Sequence, residues 1–148
     1  MATGTFDLLH LGHIYYLQEA KKLGDSLVVV VACDATVRKL KHEPVTPEEM
    51  RVAIIKELKP VDAAYIGKEN DMFAIVEEIR PDIIALGYDQ IHNEKQISQE
   101  LKKRKLNTRI IRLEKCAEIT DLEGTRRIIS KIISAYEFQK KMENIESV

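Results

Sequence analysis

The sequence predicts an α/β fold, a five-stranded parallel sheet with helices on both faces, formed as one domain over residues 1–148. Three observations carry this. Short apolar runs alternate with helix-length amphipathic segments along the whole chain, the order that builds a parallel sheet through crossover helices. The stretch "SLVVVVAC" is apolar without alternation, as expected of a strand buried on both faces. With 148 residues, 45% of them hydrophobic and 32% charged, the chain can bury a full core and is too apolar to stay disordered.

The elements follow in order. "MATGTF" leaves only a residue or two for a first strand, which is therefore short or continues a longer natural chain. "HIYYLQEAKKL" reads as the first helix, with Gly24 as a left-handed stop. The β-branched run from Ser26 to Cys33 is the second strand. In "TPEEMRVAIIKEL", Thr46 is placed to cap a helix, with Pro47 at its first position and Glu49 closing a capping box. "AAYIG", "DIIALG" and "TRIIRL" are shorter strands of the second strand's kind. "DMFAIVEEIR" is a helix ending before Pro81, and "EKQISQELKKRK" a helix after the fourth strand. The last helix begins near "TDLEGTRRIISKII", where Thr120 and Glu123 can form another capping box, and residues after about 137 read as a loose helical tail.

Composition excludes several classes. A net charge of −1 provides no field to gather nucleic acid or an anionic membrane. No apolar run reaches the length of a bilayer span, and the first residues lack a signal-peptide pattern, so a cytoplasmic protein is expected. Cys33 and Cys116 are too few for a disulfide framework or a zinc site and are read as thiols, Cys116 as an inert small apolar residue.

The chain has 4 histidines, and two of them, His10 and His13, stand three apart in "TGTFDLLHLGH". This segment passes from a strand to a helix, on the side of a parallel sheet where ligands bind. Gly4 lets backbone approach a ligand closely, and free amides at the helix start favour phosphate. Both imidazoles would lie near one face of the first turn and donate to phosphate oxygens, with Gly12 leaving room between them. A zinc site is disfavoured, because the pair lacks a zincin glutamate and a nearby third ligand.

"GTFDLLHLGHIYYLQEAKKLGD" resembles the His-x-Gly-His segment of the cytidylyltransferase-like nucleotidyltransferases and is very similar to the glycerol-3-phosphate cytidylyltransferase branch. "VDAAYIG" followed by "IIALGYDQ" resembles the archaeal FAD synthases. The likeness covers about residues 2 to 133 in order and spacing. It implies a single Rossmann-like domain of the HUP nucleotidylyltransferase type, often a homodimer. It also implies transfer of AMP from ATP to FMN with release of pyrophosphate, a divalent cation such as Mg²⁺ riding on the triphosphate, and no dedicated protein metal site. The FMN phosphate is already an anion, so in-line positioning and charge neutralisation suffice, which suits a chain without a nucleophile triad.

The resemblance assigns His10 and His13 to the α- and β-phosphates as catalytic groups, and Thr5, Phe6, Leu11 and Gly12 to the nucleotide. Asp7 is either a turn aspartate or a direct ligand. Arg38, Lys39 and Lys41 are either a solvated charge run or phosphate contacts, displaced by one position from the family's lysines. Arg51 aligns with a family arginine and otherwise forms a surface salt bridge. Asp89, just past the fourth strand, is expected to accept from ribose or base; Tyr88 either stacks on a ring or fills a gap. Gly124 and Thr125 serve a helix start near the triphosphate, with Arg126 or Arg127 adding charge. "EITDLEGTRRII" stands where cytidylyltransferases carry Arg-Thr-x-Gly-Ile-Ser-Thr-Thr, and this change favours a nucleotide other than CTP. Two alternatives remain: a cytidylyl- or adenylyltransferase acting on a polyol or sugar phosphate, and a nucleotide sensor without turnover, which would not require both imidazoles.

Overall fold

The computed structural model describes residues 1–40, 42–90, 92–115 and 124–146. Five strands form one parallel sheet in the order β3-β2-β1-β4-β5: β1 (Ala2–Gly4), β2 (Val28–Val31), β3 (Ala63–Ile66), β4 (Ile83–Leu86) and β5 (Arg109–Arg112). The helices are α1 (Leu11–Lys21), α2 (Asp34–Leu40), α3 (Glu48–Lys56), α4 (Ala74–Ile79), α5 (Glu94–Lys103) and α6 (Thr125–Glu146).

The unbroken valine run has the expected physical origin. Val29 and Val31 join Leu17, Ala20, Val52 and Ile55 in a cluster built with α1 and α3. Val30 points the other way, to Ile75, Val76, Ile97 and Leu101 of α4 and α5. Ala85 and the pair Ile84 and Leu86 divide between the same two clusters. Successive buried side chains of β2 and β4 thus meet helix layers on opposite faces of the sheet, which is why both strands are apolar without alternation.

Several element ends differ from the sequence reading. The second strand is trimmed to Val28–Val31, because β1 stops at Gly4, whose carbonyl takes the last cross-strand N–H from Ala32, and Cys33 O already accepts Val37 N–H to open α2. Gly24 is not left-handed; Lys22 ends α1 in ordinary helical geometry, with its N–H on Gln18 O. Thr46 does not cap α3: its hydroxyl donates to Asp7 Oδ1 at 2.7 Å, and Pro47 takes the cap position without a side-chain bond. α4 does end before Pro81, through Arg80 at φ 49°. α5 is capped by Asn93, whose side-chain oxygen accepts from Lys95 and Gln96 N–H. α6 runs as one helix through Glu137 to Glu146. The suggested Thr120–Glu123 capping box, Cys116 and Lys41 lie outside the described residues.

The strand order places a topological switch between β1, whose chain leaves toward β2, and β4. The two strands pair only at Ala2 and Ala85 in register, with Ala85 N–H on Met1 O. In a parallel sheet, the crevice that such a switch opens at the carboxyl ends of its strands is where ligands bind.

Candidate active site

The site is built on the turn that leaves β1. Phe6 and Leu8 both have positive φ, 54° and 49°, a region that costs a non-glycine residue roughly 1–3 kcal/mol. Asp7 between them offsets this cost. Its side chain, only 2% exposed, accepts from Val45 N–H (2.8 Å), Thr46 N–H (3.0 Å) and the Thr46 hydroxyl. Burial opposes ionisation of this carboxyl. The three donors, from Val45 and twice from Thr46, with the charge of Arg51, prevail and hold it below the usual carboxylate range. The Asp7 carbonyl in turn accepts from the Thr125 hydroxyl, which docks the start of α6 on the turn.

Arg51 lies beneath the same turn, 1% exposed. It donates through Nε to Thr46 O (3.0 Å), through Nη1 to Thr5 O (2.7 Å) and Ala32 O (2.8 Å), and through Nη2 to Asp34 (2.5 Å). Neither alternative raised for Arg51 describes this arrangement. The guanidinium is a buried knot joining β1, β2 and the α2–α3 loop, because two carbonyls just past strand ends and one in that loop need donors that a planar fork supplies. Asp7 is likewise turned inward, with both carboxylate oxygens on Val45 and Thr46.

Four rings lead from the sheet to the crevice. Tyr16 stacks on Phe6 (6.3 Å between centroids), Phe6 meets His13 edge-on (5.3 Å), and His13 stacks on His10 at 3.8 Å and 24°. The Tyr16 hydroxyl accepts Thr3 N–H and donates its one proton to Ala85 O (2.8 Å), with Thr3 O a longer alternative acceptor (3.3 Å), between β1 and β4. Burial pushes its phenol far above the ordinary value, so it stays a donor. A Cβ on Gly4 would lie 2.8 Å from Phe6 Cζ. The space that Gly4 frees therefore belongs to the Phe6 ring, not to a ligand as the sequence suggested.

His10 is the extended N-cap residue of α1, and its imidazole makes no capping bond. Its carbonyl receives His13 and Ile14 N–H, so the amides of Leu11 and Gly12 have no carbonyl within the helix, and no acidic residue stands in the first turn. Two imidazoles and two helix-start amides thus share one place, a combination suited to phosphate oxygens.

The remaining candidates divide. Thr125 and Gly124 are brought to the turn by the Thr125–Asp7 bond, and Arg126 is exposed one residue on. Asp89 and Tyr88 stand exposed at the carboxyl end of β4, with Lys115 Nζ 5.8 Å from the Tyr88 ring centre. Arg38 pairs with Glu43 and Lys39 with Glu69 (3.3 Å), both at the surface, in line with a solvated run. Among the described residues, no group of three or more His, Cys, Asp or Glu could hold a metal. No helix among the described residues is long and apolar enough to cross a membrane.

Sequence reasoning missed Tyr16, Gln90 and Arg112. Gln90 Nε2 donates to Thr3 O (2.7 Å) and its oxygen accepts Gly87 N–H (3.2 Å), tying β1 to the end of β4. Arg112 was legible as a charge closing an apolar strand; Tyr16, inside a helix pattern, carried no such signal.

Comparison with known proteins identifies the family. A family model described as cytidylyltransferase-like matches residues 1–147. An FAD synthase from Aciduliprofundum boonei is 53% identical over 133 residues, covering 90% of this chain and 89% of its own. An FAD synthase from Methanothermus fervidus is 48% identical over 149 residues, covering 99% of each chain. A crystal structure described as the lipopolysaccharide core biosynthesis protein from Thermoplasma volcanium superposes with a TM-score of 0.77 at 52% identity, covering 78% of this chain and 95% of that one. With a family model matched from end to end and relatives at about half identity, the chain belongs to the cytidylyltransferase-like family.

Proposed function

We propose that the protein is an FAD synthase, a nucleotidyltransferase that moves AMP from ATP to FMN. The observation that carries this reading is the pairing of His10 and His13 with the free start of α1 at the β1–β4 switch, in a chain whose relatives named FAD synthase align over nearly its whole length. An oxygen of the FMN phosphate attacks the α-phosphorus in line. The new oxygen–phosphorus bond forms as the bond to the bridging oxygen of the leaving pyrophosphate breaks. His10 and His13 donate to the phosphate oxygens on which charge gathers, and the Leu11 and Gly12 amides add two fixed dipoles. Thr5 and Phe6 border the nucleotide with backbone, Gly124, Thr125 and Arg126 close the triphosphate side, and Asp89 faces ribose or adenine. Asp7 and Arg51 hold the turn that carries the histidines and touch no substrate. A divalent cation, Mg²⁺ on this reading, supplies charge neutralisation on the polyphosphate. Action in the cytoplasm and a homodimeric assembly complete the proposal.

A second reading is favoured by one observation: the similar structure from Thermoplasma volcanium bears a name from lipopolysaccharide core biosynthesis. It keeps the chemistry and places a sugar or polyol phosphate in the acceptor position. Pyrophosphate release from ATP or CTP, each with FMN or glycerol phosphate and magnesium, separates the two. Turnover with ATP and FMN alone supports the first; turnover only with a polyol phosphate, or with CTP, overturns it.

A further inference from the structure

Between β4 and α5, Tyr88 and Asp89 stand exposed at the carboxyl end of β4, and the residue that ties this segment together comes from the edge strand β5. Arg112, the last residue of β5, directs Nη1 to Gly87 O (2.8 Å) and Gln90 O (3.0 Å), Nη2 to His92 O (2.8 Å), and Nε to Glu94 Oε1 (2.7 Å). One guanidinium therefore gathers three carbonyls of a single loop and the first side chain of the helix after it. The carbonyls on either side of Tyr88 and Asp89 share one nitrogen, so the ends of this two-residue tip are fixed while its side chains stand exposed. Gln90 adds a second anchor, from Gly87 N–H through its own amide to Thr3 O of β1, directly before the turn that holds the histidines.

We propose that Arg112, acting with Gln90, is a positioning residue for the nucleoside end of the site: it holds Tyr88 and Asp89 where base and ribose are recognised, without touching the substrate. This rests on the nucleotidyltransferase reading above. The physical reason is the planar five-donor fork. Lysine carries the same charge, but from one point it cannot serve divergent carbonyls at Gly87 and, three and five residues on, at Gln90 and His92. Freeing any of these carbonyls lets the tip take other paths, and the bound geometry must then be selected from them at a cost in affinity.

The test is Arg112→Lys in the full chain, with Gln90→Met as a second variant that cuts the other anchor. Binding of ATP, CTP and pyrophosphate is titrated with magnesium, and steady-state rates are measured alongside. The expected result is ATP affinity at least tenfold weaker in Arg112→Lys, kcat at saturating ATP within threefold of the parent, and pyrophosphate affinity unchanged, because pyrophosphate meets only the histidine end. Gln90→Met should move the same way by a smaller factor, and it decides the matter if Arg112→Lys does not fold. ATP affinity within twofold of the parent in a folded variant overturns the proposal. So does a loss of pyrophosphate binding as large as the loss for ATP, which would mark a general structural role. A parent protein that binds CTP in preference to ATP would instead overturn the reading of the nucleotide, and the same comparison would then be made with CTP.

Discussion

Replacing Asp7 with asparagine keeps the side-chain volume and removes one charge and one acceptor. In the structure one carboxylate oxygen accepts Val45 N–H and the other accepts both the N–H and the hydroxyl of Thr46. An amide can face only one of these sets with its oxygen. Kept toward Thr46, it turns an NH₂ group against Val45 N–H. One charge-assisted bond, worth roughly 1.5–3 kcal/mol, is lost, and the two remaining bonds weaken to neutral strength. The buried Arg51 nearby loses a compensating charge as well. The sum is about 3 kcal/mol, equivalent to a fall in Tm of roughly 10 °C for a chain of this size. The pH dependence gives an independent sign. The Asp7 carboxyl is held below its usual range, so its contribution is fully present above the unfolded value near ~3.9 and is lost as pH falls through the lower folded value. The gap between parent and Asp7→Asn should therefore be constant from pH 5 to 7, within about 1 kcal/mol, and narrow below pH ~4. Urea unfolding across that pH series measures both. An Asp7→Asn protein as stable as the parent at pH 7, with ATP affinity reduced severalfold, would refute the reasoning and return Asp7 to the ligands.

Two further outcomes follow from the site. His10→Ala and His13→Ala should each reduce turnover by a hundredfold or more, about 3 kcal/mol for one phosphate-directed donor, while circular dichroism shows an intact fold; a His13→Ala enzyme with parental turnover would remove the pair from the chemistry. Asp89→Asn should weaken ATP binding by about 1–2 kcal/mol with no change in the Tm of the ligand-free protein, because the side chain is exposed and its role lies in accepting from the nucleoside. Calorimetric titration of both proteins with magnesium ATP checks it, and equal affinity would make Asp89 a turn residue only.

The sequence by itself determined what is local or periodic. Val28–Val31 could only be a strand covered on both sides, since four consecutive β-branched residues leave no polar face, and Val29 and Val30 do part into separate helix layers. The alternation of strands and helices fixed a parallel sheet, and the spacing of His10, Gly12 and His13 marked the start of the first helix as the candidate phosphate site. Tertiary structure alone decided how that turn is held. Asp7 meets Val45 and Thr46 from 38 and 39 residues away, and Thr125 reaches the Asp7 carbonyl across 118. Such distances leave no trace in a local pattern: a Thr-Pro-Glu-Glu stretch reads as a capping box until a buried carboxylate competes for the threonine. The buried role of Arg51, offered by the sequence as a family-aligned arginine or a surface salt bridge, and that of Arg112, which the sequence did not single out, were hidden for the same reason. Arg51 satisfies carbonyls that follow two different strands, and Arg112 those that follow β4, the strand its own β5 pairs with, so the identity of the acceptors is a property of strand order rather than of neighbouring residues.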